Sequence, residues 1–418
     1  DDMVLLEVKP ERLQAMIDVL EAYSQRWRFT ISVSKTKTMV FGGTSRWQWT
    51  IYGRPIERVR SFKYLGIVFE EEAHWRSMSA QAAAKARRGW CALLSAGVGR
   101  RSLGSDSSCR LWKALILPVL TYGAEVWWPA HSDMTRLNRE LNFGARSCLG
   151  LPARAASAAA RGDLGWLHAD EWLAIRRLDF AGKLALLPPH RLSRRIAAVA
   201  QSMDSEWHRE TRRLLVRFGL QLPEPVHPQR YREEYKTWRQ RVHTAVWTEA
   251  SQRWHDQVLH LPKLRTYAVV KGYRLRIEPY VRWAGRRAPV LAQLRAGCYP
   301  LAVETGRWVH VPLWERICPL CSAATEDEWH VLGVCPYLAD ERTAAWALLF
   351  RSLRAETGDT ILLHSIATLP PMSAFRLLMG SLPPLVAGGS EDLAPVLVRW
   401  AGDTVVSVLR LRRRKMSG

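Results

Sequence analysis

Ser34-Lys35-Thr36-Lys37-Thr38-Met39-Val40-Phe41 and Phe62-Lys63-Tyr64-Leu65-Gly66-Ile67 decide how the first part of the chain is read. β-Branched and aromatic residues at 30–33 and 38–41 predict two short strands around the polar Ser34–Lys37 step, and residues 62–69 predict another. Between them Trp47, Trp49 and Ile51 alternate with polar residues, and Gly53-Arg54-Pro55 turns the chain. Upstream, Asp1-Asp2 precedes Val4-Leu5-Leu6, an apolar run consistent with a buried strand. Pro10 then opens a helix, where its fixed φ is an advantage. Leu13, Met16, Ile17, Leu20, Tyr23 and Trp27 follow at helical spacing. The expected fold of this stretch is α+β with small antiparallel pairs.

Further along, the pattern becomes helical. Ala, Leu and Arg dominate from about residue 80 to 187, with the clearest helices at 81–97, 107–121 and 133–149 and a kink or end at Pro118. Pro188-Pro189 suggests a boundary, and Tyr231, Tyr235, Trp238 and Val242 predict another helix beyond a Pro-rich stretch. The predicted organisation is an α+β segment at 1–80, a helical unit at 81–188, a helical basic connector at 189–289, a cysteine-rich module at 290–345 and a helical tail at 346–418.

The balance of charge narrows the function. With 418 residues and 48% hydrophobic content the chain can bury a core. Its 61 Lys and Arg against 39 Asp and Glu leave +22, an excess that calls for a polyanion such as nucleic acid. A merely basic soluble protein is the bland alternative. Most of the 20 Trp are expected in the core, though some interleave with Arg, as in Tyr280-Val281-Arg282-Trp283, a pattern suited to stacking on unpaired bases. No apolar run reaches the ~18–20 residues of a membrane span, and no signal peptide opens the chain. A first residue other than Met suggests a piece of a longer reading frame.

Seven cysteines do not pair into a disulfide framework. Three of them fall in Cys318-x₂-Cys321-x₈-His330-x₄-Cys335. Two cysteines two residues apart make a tight knuckle, and His330 and Cys335 complete four ligands, the donor set of a closed structural zinc site in a reducing compartment. Soft thiolates disfavour Mg²⁺ and Ca²⁺. Four protein ligands leave no open position for catalysis. The intervening Glu326-Asp327-Glu328 is expected to be solvated, with one carboxylate available to orient His330.

Asp1-Asp2 before an apolar run is a weak metal signal alone. In order with the helix, Ser34–Phe41 and Phe62–Ile67, it resembles the palm of a non-LTR retrotransposon reverse transcriptase from its Asp-Asp motif onward. The resemblance continues through Tyr122-Gly123-Ala124-Glu125-Val126-Trp127, Glu304-Thr305-Gly306-Arg307-Trp308 and the Cys/His cluster, and is weakest at about 190–285 and 345–418. It implies the end of a palm at 1–80, a thumb at 81–188 and a CCHC zinc-binding domain at 290–345. Asp1 and Asp2 would hold catalytic Mg²⁺. Lys35 would sit near the incoming nucleotide as general acid, and Lys63 and Tyr64 would lie in the primer grip. The implied activity is RNA-directed DNA polymerisation, an in-line attack of a primer 3′-hydroxyl on an α-phosphate, in target-primed reverse transcription. The implied partners are template RNA, primer or target DNA and dNTPs, in the nucleus after a cytoplasmic ribonucleoprotein stage. The upstream carboxylate and the fingers that polymerisation requires are absent from these 418 residues, so the chain alone is expected to be inactive.

Basic residues from Lys263 to Arg295, interleaved with Tyr267, Tyr273, Tyr280 and Trp283, predict a single-strand binding surface centred on Tyr280, Arg282, Trp283, Arg286 and Arg287; a solvated charged face is the alternative. The run from Arg410 to Lys415 suits a nuclear address or a phosphate contact. The chain has no Gly-rich phosphate loop, no Ser-His-Asp order and no restriction-like endonuclease pattern after Cys335. The principal rival is a non-catalytic, zinc-dependent nucleic-acid-binding remnant of a decayed element.

Overall fold

A computed structural model describes residues 3–43, 46–98, 103–357, 360–382 and 393–417. Helix takes 65% of the chain and strand only 5%, so the strands predicted near the start carry little of the architecture. Residues 3–9 form no strand, and Val4 and Leu6 are exposed. Helix α1 (Pro10–Arg26) begins at its proline. Of the two strands expected around Ser34–Lys37, only β1 (Lys37–Thr38) forms; it runs parallel to β4 (Glu57–Arg58). Between them, β2 (Thr50–Ile51) and β3 (Arg54–Pro55) make a hairpin across Tyr52-Gly53. Ile17 of α1 packs with Trp49, Ile51 and Ile56 in a small core of its own. The four strands around this core are two residues each.

The strand expected at 62–69 is a hairpin, β5 (Ser61–Tyr64) against β6 (Ile67–Glu70). Leu65 and Gly66, with φ of 47° and 83°, make the two-residue turn. A turn with positive φ at both central residues matches the right-handed twist of the strands.

Helices then follow closely on the predicted positions. α2 (Arg76–Ser95) packs on α5 (His131–Cys148). Between them α3 (Ser105–Leu111) runs through a π-helical turn, Trp112–Ile116, into α4 (Leu117–Leu120). The Leu117 amide bonds to Trp112 O, and this widened turn lets Pro118, which has no amide hydrogen, stay in the helix. α6 (Ser157–Leu164) and α7 (Ala169–Leu186) come next, then α8 (Leu192–Ser202), α9 (Glu206–Arg217) and the long α10 (Tyr231–Leu259), which packs on α7. Shorter helices α11 (Arg265–Lys271), α12 (Pro279–Trp283), α13 (Ala288–Arg295) and α14 (Ala302–Trp308) lead to the cysteine-rich segment. α15 (Ala339–Thr357), α16 (Thr360–Ala367), α17 (Pro371–Leu378) and α18 (Ala394–Ser417) complete the described chain. No single helix among the described residues is long and apolar enough to cross a membrane.

Tryptophans seat these helices against helix glycines. A Cβ on Gly144 would lie 2.2 Å from the Trp112 indole, one on Gly182 2.0 Å from Trp238, and one on Gly162 2.5 Å from Trp254. The ring can rest there only because no side chain intervenes. Each of two such indoles also donates to a carbonyl, Trp238 to Leu178 O and Trp254 to Ala158 O, both at 2.9 Å. A continuous hydrophobic cluster reaches from Val68 to Leu409 and includes Cys318 and Cys335. The boundaries expected at 188/189, 289/290 and 345/346 do not interrupt it.

Candidate metal centre and the predicted nucleic-acid surface

The cysteine-rich segment folds around its own backbone. Ile317 bridges Thr325, the Cys318 amide donates to Ala324 O at 2.8 Å, and the Ser322 amide returns to Cys318 O at 2.9 Å. This closes the knuckle, with Ser322 at φ 53°. His330 opens a π-helical turn, His330–Val334, its amide held by Asp327 Oδ1 at 2.8 Å. The Cys335 amide closes that turn on His330 O at 2.8 Å.

The result is convergence. One ligand atom from each of Cys318, Cys321, His330 and Cys335 lies within 4.8 Å of the others, and His330 Nε2 is 3.3 Å from Cys321 Sγ. A tetrahedral shell with bonds of ~2.0–2.3 Å places its ligands at such separations. The four residues can hold a metal ion, and three thiols with an imidazole are consistent with zinc. Backbone amides point at the sulfurs: Leu320 and Cys321 toward Cys318, Ala323 and Ala324 toward Cys321, and Tyr337 toward Cys335. Without a cation beside it, burial pushes the Cys318 thiol up to about 11 and raises Cys335. A divalent ion reverses that cost, since amide dipoles and metal together stabilise thiolate.

The acidic loop is not solvated as expected. Glu326 is completely buried and accepts both Nε and Nη2 of Arg412 from α18, at 2.5 and 2.7 Å, together with the Ala302 amide at 2.7 Å. Glu328 is buried against Thr266 Oγ1, and Asp327 meets the His330 backbone rather than its ring. Arg412 is therefore a structural member of the terminal basic run, while Arg410, Arg413, Arg414 and Lys415 remain exposed.

Within 263–295 the fold buries Tyr267, Tyr280, Lys271 and Arg295 and leaves Arg265, Tyr273, Arg274, Arg276, Arg282 and Arg286 exposed. Tyr280 has no exposed area; its hydroxyl donates to Asp163 Oδ2 at 2.7 Å, so it offers no face to a base. Trp283 is half-buried against the main core. Arg282 and Arg286 are exposed, whereas Arg287 pairs with Asp403 at 2.6 Å. Arg295 is completely buried, bidentate on Asp163 and bonded to Glu278, Met379 O and Ser381. Lys271 is buried on the other oxygen of Glu278 at 2.6 Å. The basic run wraps through short helices here, and Lys271 and Arg295 are the two of its cations that point inward. The buried partners Asp163 and Glu278 are the residues that sequence reasoning missed; they are isolated acids with no local pattern.

The remaining predicted residues divide. Asp1 and Asp2 lie outside the described residues. Lys35 is exposed in a turn, its amide on Ser32 O at 3.2 Å. Lys63 is exposed on the β5–β6 hairpin and Tyr64 half-buried beside it. The Tyr122 hydroxyl donates to Leu65 O at 2.8 Å at the tip of that hairpin. A second feature went unpredicted: Trp308, with the Arg154 guanidinium 4.3 Å above its ring, and the highly exposed Trp314 stand just before the metal ligands.

No protein-family profile matches the chain, and no curated protein matches it.

Proposed function

We propose that this chain is the C-terminal part of a non-LTR retrotransposon reverse transcriptase, gripping template and primer and binding nucleic acid during target-primed reverse transcription. The observation that carries the reading is the meeting of two stretches on which the resemblance rests. Tyr122 holds the turn of the Phe62–Ile67 hairpin through Leu65 O, its ring lies against Gly66, and Gly123 sits against Ile67. The Trp127 indole then donates to Tyr122 O at 2.8 Å, fixing the segment in the core. A hairpin braced at its turn, with Lys63 exposed, suits contact with a primer strand.

On this reading Asp1 and Asp2 would hold Mg²⁺, which when bound would supply activation of the nucleophile and stabilisation of the leaving pyrophosphate. Lys35 would approach the triphosphate, and Cys318, Cys321, His330 and Cys335 would hold structural Zn²⁺. The test is binding to an RNA–DNA heteroduplex with a recessed primer end. The expected result is tighter binding than to a blunt heteroduplex with the same number of phosphates at the same salt, with that preference reduced by Lys63→Ala. Equal affinity for both at every salt concentration would overturn the reading, because bulk charge alone predicts equality.

A further inference from the structure

The expected stacking site at Tyr280 is buried, yet the fold exposes another set of rings. Tyr23, Trp27 and Phe29 stand at the C-terminal end of α1, with exposures of 54%, 63% and 46%. Tyr23 lies 6.1 Å from Trp27 and 6.1 Å from Phe29, ring centre to ring centre. None of the three belongs to the small core, which takes Ile17 from the same helix. Arg26 and Arg28 flank them and are exposed, and no carboxylate pairs with either among the described residues.

The backbone at this point is unusual. The Phe29 amide bonds to Ser24 O at 3.0 Å and the Arg28 amide to Gln25 O at 3.2 Å. This is the helix-ending motif whose left-handed residue is normally glycine. Here that residue is Arg28, at φ 57°. Glycine would relieve the strain of a Cβ in this conformation. An arginine in its place sets an exposed cation between Trp27 and Phe29 in the chain, at a cost in stability.

We propose that Tyr23, Trp27 and Phe29 with Arg26 and Arg28 form a stacking platform for unpaired nucleic-acid bases. The occupant is single-stranded nucleic acid, chosen by charge complementarity: the rings take the bases and the two arginines the phosphates. Every base has a π face, so the platform tolerates any sequence. A protein partner would have to cover an apolar patch flanked by two unpaired cations. The proposal rests on the nucleic-acid reading above but assigns a site that reading does not need.

The experiment is fluorescence-anisotropy titration of a labelled single-stranded oligouridine across a salt series, with circular dichroism and sedimentation on each variant. Trp27→Ala is expected to weaken binding roughly 5- to 100-fold with an unchanged salt slope, and Trp27→Phe to keep most of the affinity. Arg28→Gly is expected to raise the melting temperature, weaken binding and flatten the salt slope. If Trp27→Ala binds oligouridine like the wild type at all salts, the platform is refuted while the recessed-primer preference can stand. If Trp27→Ala changes only the sedimentation coefficient, the patch is a protein interface and the proposal falls. If the wild type binds no nucleic acid at all, both readings fall together.

Discussion

Single side chains set the pH response of the helical core. Glu171, in the first turn of α7, accepts the His168 amide at 2.6 Å and meets the Arg253 guanidinium. Burial, with Asp170 adding to it, pushes its carboxyl up to about 7 despite Arg253, the His168 amide and Arg161. Beside it, burial and the charges of Arg161, Arg253 and Arg217 push His168 down to about 3, against the pull of Asp170. The two groups act in opposite directions. A carboxyl whose pKa is raised on folding stabilises fully below its unfolded value near 4.5, and that contribution is lost as pH rises to 7. A depressed histidine contributes above about 6.5 and loses its contribution as pH falls. Replacing Glu171 with Gln removes one slope and leaves the other. The stability of Glu171→Gln relative to wild type should therefore rise from pH 5 to pH 7, by at most ~1.4 kcal/mol per unit. Denaturant titrations at each pH measure it; a difference that stays flat would mean that Glu171 is ionised throughout. His168 and Glu171 are local partners in the cap of α7, but the burial that shifts them and the approach of Arg253 come from the α7–α10 packing and were not legible in the sequence.

At the scale of elements, the sequence was readable where one element decides its own form. The helices near 81–97, 107–121 and 133–149 follow from apolar spacing, and the metal ligands follow from a local spacing that forces convergence. Residues 3–9 and 30–33 fail as strands because an apolar run needs a partner sheet, and the described structure gives these none. The basic runs misled for a related reason: charge was read as exposure, but acids distant in sequence bury Arg295 and Arg412. The second of these ties α18 to the metal hairpin through Glu326. Breaking a buried pair leaves an uncompensated charge and typically costs ~3–5 kcal/mol. Arg412→Ala should lose about that much and release the end of α18. Arg410→Ala, an exposed neighbour three quarters of a turn from it at most, should change stability by no more than ~0.5 kcal/mol. Thermal melts with hydrogen exchange on α18 compare the two, and equal losses would show that the Glu326 pair contributes nothing special.

One apolar cluster runs through the described chain from Val68 to Leu409, beside the small separate core around Ile17. Cys318 and Cys335 belong to the same apolar cluster as α2, α5, α7, α10 and α18, and Glu326, between Cys321 and His330, is the anchor for Arg412. The metal hairpin is thus packed between α14, α17 and α18 rather than hung on a linker. Metal binding energy at a site that the unfolded chain lacks is folding energy. A ligand held at a thousandfold above its dissociation constant adds ~4 kcal/mol to whatever unfolds with its site. If the four residues hold a metal ion, removing it with a chelator from reduced protein should therefore lower the melting of the main helical body, not of residues 290–345 alone. Hydrogen exchange should accelerate in α17 and α18 together with the hairpin. Amides around Ile17, Trp49, Ile51 and Ile56, which have their own small core, should keep their rates. If protection is lost only within 290–345, the metal module is an independent domain and the continuity of the core has no energetic meaning. If the freshly purified protein holds no metal, the Cys₃His centre is a cluster of thiols, and the loss of Cys318 to Ser should leave the melting temperature where it was.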